Sequence, residues 1–235
     1  MMTNMKTWNP ERKTRNAAAA FTLIELLVVI TIIAVLAGFL VPVGITMQKK
    51  VKIQRAQAEM AQLQTAIETY KSERGYYPPD NPGNPLTNQL YYELTGMTLT
   101  TGSPPTYQSY DGIQTLTASQ LGNVFGGVAG FQNVSKGSGE DARPSKNYLG
   151  SIPPAIKGTF TVGTDSITNL VTGVGGPDAG YRPMGVQGLN PWRYVSSNPT
   201  NNPGRYDLWV QLKIGNKTNL VCNWSKQAQV NSPLP

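Results

Sequence analysis

The feature that most constrains this chain is an apolar segment of 21 residues near its N-terminus. Phe21–Val41 carries a single charged side chain, that of Glu25. At about 1.5 Å per residue, an α-helix of this length spans roughly 30 Å, which is the thickness of the hydrocarbon core of a bilayer. The segment therefore predicts a single membrane-spanning helix over residues 21–41.

A cleaved secretory signal is the main alternative interpretation of the apolar segment. The apolar region of such a signal has about 7–15 residues, and the small residues that mark its cleavage site follow it. Here the small residues Ala17–Ala20 precede the apolar segment, so a cut there would leave the helix on the protein. Residues 1–20 are accordingly predicted to be a basic leader, with four cationic residues and one acid: Lys6, Arg12, Lys13, Arg15 and Glu11.

The charges around the segment leave its orientation open. A positive leader favours a cytoplasmic N-terminus. However, a second group of cationic residues follows the helix closely: Lys49, Lys50, Lys52 and Arg55. The long polar remainder of the chain makes an N-terminus inside and a C-terminal part outside plausible, but charge counting does not decide it.

Pro42 closes the apolar segment and is flanked by Gly38 and Gly44. Proline removes one helical hydrogen bond and clashes with the preceding turn. Two interpretations remain open at this point. Pro42 either ends the membrane span or forms a helix hinge together with the two glycines.

Beyond the membrane segment, apolar residues recur at spacings of four and three, which predicts an amphipathic helix. They are Ala56, Met60, Leu63, Ile67 and Tyr70. Gly75 is a typical helix C-terminal residue, and Pro78 forbids continuation. The sequence thus predicts one nearly continuous helix over residues 21–75, followed by a globular domain over residues 76–235.

Glu25 is the most informative single residue of the apolar segment. A carboxylate is costly in lipid, although less so near a helix end. Thr22 and Glu25 have the spacing of a capping box, in which Glu25 accepts a hydrogen bond from the backbone N–H of Thr22. Pairing with a cation of another chain is the other interpretation. Taken alone the residues do not separate these two roles, which are compatible.

The run from Ala20 to Ile30 resembles the cleavage and methylation motif of type IV prepilins and type II secretion pseudopilins. The resemblance implies that a prepilin peptidase cuts between Ala20 and Phe21, and that the new amine of Phe21 is N-methylated. It further implies that Glu25, with Thr22 beside it, serves subunit assembly by pairing with the amine of a neighbouring subunit. The family usually has glycine where this chain has Ala20, which bears on the efficiency of cleavage.

The same resemblance implies where such a protein acts and with what. Its partners would be other copies of itself, other pilin-like subunits, the prepilin peptidase and an assembly platform in the inner membrane. It would be a single-pass protein of the inner membrane, with a cytoplasmic N-terminus and an extracytoplasmic C-terminal domain, before joining a filament.

The C-terminal part predicts an α+β fold, in which the long helix packs on a small antiparallel β-sheet domain with long loops. Asn84–Gly96 predicts a short helix, and Thr159–Val162 a strand. Thr98–Gly139 is rich in Gly, Ser and Thr and predicts an irregular loop region. The clearest β signal is a hairpin formed by Tyr206–Ile214 and Thr218–Trp224, with Leu220, Cys222 and Trp224 on one face.

This part also resembles the major pseudopilin of type II secretion, on short aromatic and turn motifs. They are Arg74–Pro78, Asn190–Tyr194 and Pro203–Trp209. A further segment, Gln89–Gly96, resembles related bacterial pseudopilins. That family binds calcium through acidic residues near the C-terminus, but Lys213–Pro235 contains no Asp or Glu. Because calcium requires several oxygen ligands, the calcium site does not carry over, and no metal or cofactor is predicted.

Composition narrows the function classes. The chain has no histidine, so it lacks the commonest general base, and its single cysteine, Cys222, excludes an internal disulfide. The net charge of +7 is spread along the chain without a basic face typical of nucleic-acid binding. We therefore expect a structural filament subunit, neither an enzyme nor a nucleic-acid binder. The alternatives are a type IV pilin for adhesion, motility or DNA uptake, and an anchored binding protein that does not polymerise.

Overall fold

The structure is a computed structural model in which the leader, including Ala20, lies outside the described residues. Those residues are 21–100, 102–126, 128, 130–135, 144–151, 153–174, 184–186, 188–214 and 216–232, without the side chains of 39–46. The chain divides into two compact units, residues 1–47 and residues 48–235. Each unit is described by itself below.

Helix α1, Leu23–Arg74, confirms the prediction of one nearly continuous N-terminal helix. Its helical backbone continues through Pro42, so that residue does not end the helix. The helix stops at Gly75, whose φ of +86° is a left-handed conformation that glycine adopts without strain. The backbone N–H of Gly75 donates to the carbonyl of Lys71 at 2.9 Å, which closes the last turn.

The second half of α1 belongs to the unit of residues 48–235 and supplies one side of its core. The predicted apolar stripe is confirmed, since all five of its side chains are buried: Ala56, Met60, Leu63, Ile67 and Tyr70. Burying a side chain the size of Leu or Ile contributes about 1.5–3 kcal/mol. Differences in helix propensity among ordinary residues stay below about 0.7 kcal/mol. Packing therefore decides which face of this helix meets the domain.

The described residues of this unit also form three sheets, two short α-helices and a 3-10 turn over Pro154–Ile156, which give the predicted α+β class. The helices are α2 (Leu90–Thr95) and α3 (Ala118–Val124). The strands are β1 (Met97–Thr100), β2 (Thr106–Ser109), β3 (Thr115–Thr117), β4 (Val134–Ser135), β5 (Lys157–Val162), β6 (Asp165–Leu170), β7 (Arg193–Val195), β8 (Asp207–Ile214), β9 (Lys217–Cys222) and β10 (Gln229–Val230). The sheet orders are β3-β2-β1-β4, β10-β9-β8-β7 and β5-β6. All pairs are antiparallel except β1 with β4.

The irregular region predicted over Thr98–Gly139 is wrong for most of its described residues. It contains β2, β3, α3, β4 and most of β1. Its strands have only two to four residues each, which is too short for the alternation of a strand to stand out in the sequence. Helix α3 begins with a capping box, in which Thr117 and Gln120 exchange hydrogen bonds between side chain and backbone.

The short helix predicted within Asn84–Gly96 is confirmed only in its second half. Helix α2 begins at Leu90 and ends, as predicted, at Gly96. Ahead of it, the side-chain oxygens of Asn84 and Asn88 accept hydrogen bonds from the backbone two residues further on. Such local bonds offer the backbone an alternative to the helix, which explains why the helix starts late.

The predicted strand over residues 159–162 and the predicted C-terminal hairpin are confirmed in β5 and in β8–β9. Val221 of β9 joins the main core. On the opposite face, Leu220 and Cys222 pack with Trp209 and Trp224 in a separate small cluster. The face predicted for Leu220, Cys222 and Trp224 is therefore correct, and it lies away from the main core.

We expect the thiol of Cys222 to be unreactive in the folded protein. Its side chain is buried, with 1% exposed, and burial raises the pKa of the thiol, so little thiolate is available. Labelling with a thiol reagent should be at least about 100-fold slower in buffer than in urea, because it requires opening of the structure. Cys222→Ser provides the unlabelled control, and rapid labelling of the folded protein would contradict the buried position.

Candidate functional site: the N-terminal segment of helix α1

The described chain begins with a capped helix start that involves Thr22 and Glu25. The Oε2 atom of Glu25 accepts hydrogen bonds from the backbone N–H of Thr22 at 2.8 Å and from its hydroxyl at 2.7 Å. The backbone N–H of Glu25 donates to Oγ1 of Thr22 at 3.3 Å. The predicted capping box is thus present, and it directs the carboxylate toward the start of its own helix.

One carboxylate oxygen of Glu25 is not used by this cap. Oε1 accepts no hydrogen bond from any residue that the structure describes, whereas Oε2 accepts two. A carboxylate has acceptor capacity on both oxygens. The cap and an additional contact through Oε1 are therefore geometrically compatible.

The first turns of α1 expose apolar side chains on every face of the helix. Twelve of them are between 45% and 81% exposed: Phe21, Leu23, Ile24, Leu26, Leu27, Val28, Val29, Ile30, Ile32, Ile33, Val35 and Leu36. Soluble monomeric proteins rarely expose contiguous apolar surface of this extent. A helix that is apolar all round is typical of a segment buried in lipid or among other chains.

No helix, as far as its residues are described, is both long and apolar enough to cross a membrane. The side chains of residues 39–46 lie outside that description, and the span predicted over 21–41 falls partly on them.

The hinge assigned to Gly38, Pro42 and Gly44 stays a prediction. All three residues have a helical backbone. A β-carbon at Gly38 would meet no described atom within 4 Å, so packing against the described residues does not explain the glycine there.

Further along, the polar side chains of α1 bind the helix to its own domain. Oε2 of Glu59 accepts hydrogen bonds from the hydroxyl of Thr172 and the backbone N–H of Gly173, both at 3.0 Å. Two more acidic residues of the helix pair with cationic residues of the domain, namely Glu68 with Arg205 and Glu73 with Lys146. The sequence did not predict this role of Glu59, because an acidic residue beside the apolar stripe does not by itself indicate a contact with the domain.

A buried polar connection between α1 and the domain is formed by Glu93 of α2. Its buried carboxylate accepts from the Tyr70 hydroxyl at 2.9 Å and from the backbone N–H groups of Gln132 and Asn133 at 2.7 and 2.9 Å. Burial raises the pKa of Glu93, and these three donors oppose that change. The guanidinium of Arg74 completes the connection by donating to the side-chain oxygen of Asn133 at 2.6 Å.

Within the described part of the chain, no three His, Cys, Asp or Glu side chains form a group that could hold a metal ion. Asp207 lies in one of the segments that resemble the major pseudopilin. Its carboxylate accepts hydrogen bonds from the backbone and side-chain N–H groups of Asn201 and Asn202, at 2.8–3.1 Å.

The N-terminal region matches known proteins. Residues 15–41 match the family described as the prokaryotic N-terminal methylation motif. Over 63 residues, the chain is 40% identical to type II secretion system core protein G of Escherichia coli strain K12 and 35% identical to the protein of that name from Vibrio cholerae. Each match covers 27% of this chain and 43% of the relative, so the chain spans about two fifths of the length of the curated relatives it matches. No solved structure matches the chain.

These findings support the predicted motif and the contact between Thr22 and Glu25, but they do not test the predicted processing and assembly. The prepilin-type motif is present where the sequence placed it. The structure brings Thr22 and Glu25 together and leaves Phe21 exposed beside them. Cleavage at Ala20–Phe21, methylation of Phe21 and the assembly role of Glu25 stay predictions.

Proposed function

We propose that this chain is a structural subunit of a type IV pilus-like filament, of the type II secretion pseudopilin kind. The observation that carries the proposal is the prepilin-type motif placed at the start of a helix that exposes apolar side chains on all its faces. A prepilin peptidase would remove residues 1–20 and leave the helix on the protein. The similarity to core protein G supports the secretion branch.

The proposed assembly follows from the chemistry of the helix start. Before assembly, the apolar segment spans the inner membrane once, with its N-terminus cytoplasmic and the globular unit extracytoplasmic. In the filament the same surface is buried among neighbouring copies, so it leaves lipid without meeting water. Cleavage creates an amine at Phe21, and Glu25 of a neighbouring subunit can neutralise that charge through the carboxylate oxygen that the cap leaves free. An inner-membrane platform delivers the subunits.

A type IV pilin for adhesion, motility or DNA uptake is the second candidate. It is favoured by the short extent of the similarity, because the identities to core protein G cover only 27% of this chain. The acid-poor C-terminus, Lys213–Pro235, also departs from the calcium-binding pattern of the secretion branch.

We expect the protein purified from its own cells to begin at N-methylated Phe21. Intact-mass measurement and N-terminal sequencing distinguish this from a chain that retains residues 1–20. A non-polymerising anchored protein would keep its leader, or would lose it without forming filaments. A mature chain that begins beyond Val41 would contradict the proposal, because it would lack the assembly helix.

The variant Ala20→Lys tests the position of the cut. A long cationic side chain replaces a small one next to the scissile bond, so we expect the full-length precursor to accumulate. Ala17→Lys changes the charge equally, three residues further from the bond, and serves as the matched control that is still processed. Normal processing of Ala20→Lys would exclude cleavage between Ala20 and Phe21.

A further inference from the structure

The feature that the filament proposal leaves unused is a group of cationic side chains on α1 near the start of the second unit. Lys49, Lys50 and Lys52, here called the lysine cluster, are all exposed. They form no ion pair with any residue that the structure describes, whereas the nearby Arg55 pairs with Glu59 at 3.4 Å. Lys49 and Lys52 are three residues apart on the helix, so their like charges repel one another. Lys50 adds a third positive charge beside them, and an external anion would stabilise this part of the helix.

The three lysines occupy one side of the helix. At 100° per residue, their positions fall within about 160° of the helix circumference. Lys49 lies two turns before Ala56, the first buried residue of the core stripe, and on the same side of the helix. The cluster therefore lies just ahead of the globular part, on the side that the domain covers further along.

An acidic surface of another copy is a poor match for the cluster. Of the chain's 13 acidic residues the structure describes nine, and each already accepts a hydrogen bond within its own chain. They are Glu25, Glu59, Glu68, Glu73, Asp80, Glu93, Asp111, Asp165 and Asp207. Apart from Glu25, whose second oxygen the filament proposal assigns to the amine of a neighbour, these carboxylates are thus already engaged by donors within their own domain.

The order of the chain favours a membrane surface. Lys49 follows Val41, the last residue of the apolar segment, by eight residues, which corresponds to about 12 Å of helix. The polar headgroup layer adds roughly 5–8 Å on each side of the hydrocarbon core. Lysine has a long flexible side chain, so its ammonium group can reach back toward that layer.

We propose that Lys49, Lys50 and Lys52 bind the phosphate groups of anionic phospholipids, in the leaflet from which α1 emerges. The proposal rests on membrane insertion before assembly, as proposed above. It adds a lipid-binding site whose occupancy holds the unassembled subunit at a fixed depth. Entry into the filament then requires these contacts to be released.

The test measures lipid binding to the unassembled full-length chain in a neutral detergent. Native mass spectrometry counts the molecules of phosphatidylglycerol and of phosphatidylcholine retained at increasing lipid concentration. A lysine near an anionic surface contributes about fivefold in affinity. We expect the variant K49Q/K50Q/K52Q to lose phosphatidylglycerol binding by at least about tenfold, and K49R/K50R/K52R to retain it.

The matched control K213Q/K217Q/K226Q removes the same charge from the C-terminal hairpin region and should bind like the parent chain. Equal binding of the two lipids by the parent chain would overturn the proposal, as would equal loss in both glutamine variants. If lysine-specific cross-links joined this cluster to a protein in intact membranes, and binding were indifferent to lipid charge, the partner would be a protein. Because the measurement needs no filament, loss of this proposal leaves the filament proposal standing. Conversely, a chain that keeps its leader could still bind anionic lipid.

Discussion

Replacing Glu25 by alanine is expected to reduce filament yield at least about tenfold while leaving membrane insertion intact. Insertion does not need the carboxylate, since an acid in lipid is unfavourable even near a helix end. Assembly does need it under the filament proposal, because the amine of Phe21 in the neighbouring subunit would otherwise be buried without a counter-charge. The measurement compares membrane-fraction protein with sheared or sedimented filaments from the same cells.

Two further variants separate the roles of the cap and of the charge. Glu25→Gln keeps an oxygen that can accept from the Thr22 backbone N–H, as glutamine does in a capping box, but it removes the charge. Thr22→Ala removes the hydroxyl that the Glu25 backbone uses and keeps the charge. We expect Glu25→Gln to fail in assembly and Thr22→Ala to assemble. If Glu25→Gln assembled and Thr22→Ala did not, helix capping alone would explain why assembly needs Glu25.

Replacing Glu93 by alanine is expected to destabilise the globular unit by about 3–5 kcal/mol. The substitution removes the acceptor of two buried donors, the Tyr70 hydroxyl and the backbone N–H of Asn133, and of the part-buried backbone N–H of Gln132. For a unit of this size the melting temperature should fall by roughly 6–20 °C. Thermal unfolding followed by circular dichroism in detergent measures the change.

Glu73→Ala is the matched control for this prediction, because it removes a carboxylate from α1 that is 41% exposed and pairs with Lys146. Exposed pairs of this kind contribute little, so the melting temperature should stay unchanged. If both variants melted alike, the buried carboxylate of Glu93 would contribute no more to stability than the exposed carboxylate of Glu73.

The parts of the fold that the sequence predicted are those with strong periodicity or unambiguous stop signals. The stripe from Ala56 to Tyr70 repeats with the period of a helix, and Gly75 ends it. The β8–β9 hairpin alternates over many residues, and Ile214 pairs with Lys217 at its end. In each case a local pattern carries the information, and the structure confirms it.

The missed parts depend on contacts between residues far apart in sequence. The strands around Tyr107 are short, and their order in the sheet depends on pairing with β1. A short local segment does not predict that pairing. Glu93 was not recognised because its donors are about 23 and 40 residues away along the chain. At the candidate site, the motif and the capping box were predictable because both are local. The lysine cluster was visible as a charge run, but its lack of acidic counterparts required the structure.

The polar connections of α1 within the globular unit also have a mechanical consequence. Glu59, Glu68, Tyr70, Glu73 and Arg74 contact the domain along about 22 Å of one helix. Tension applied along the axis of this helix loads these contacts in parallel, so none of them carries the whole force. The globular part should therefore resist being pulled away from α1 more strongly than any single one of these contacts would allow.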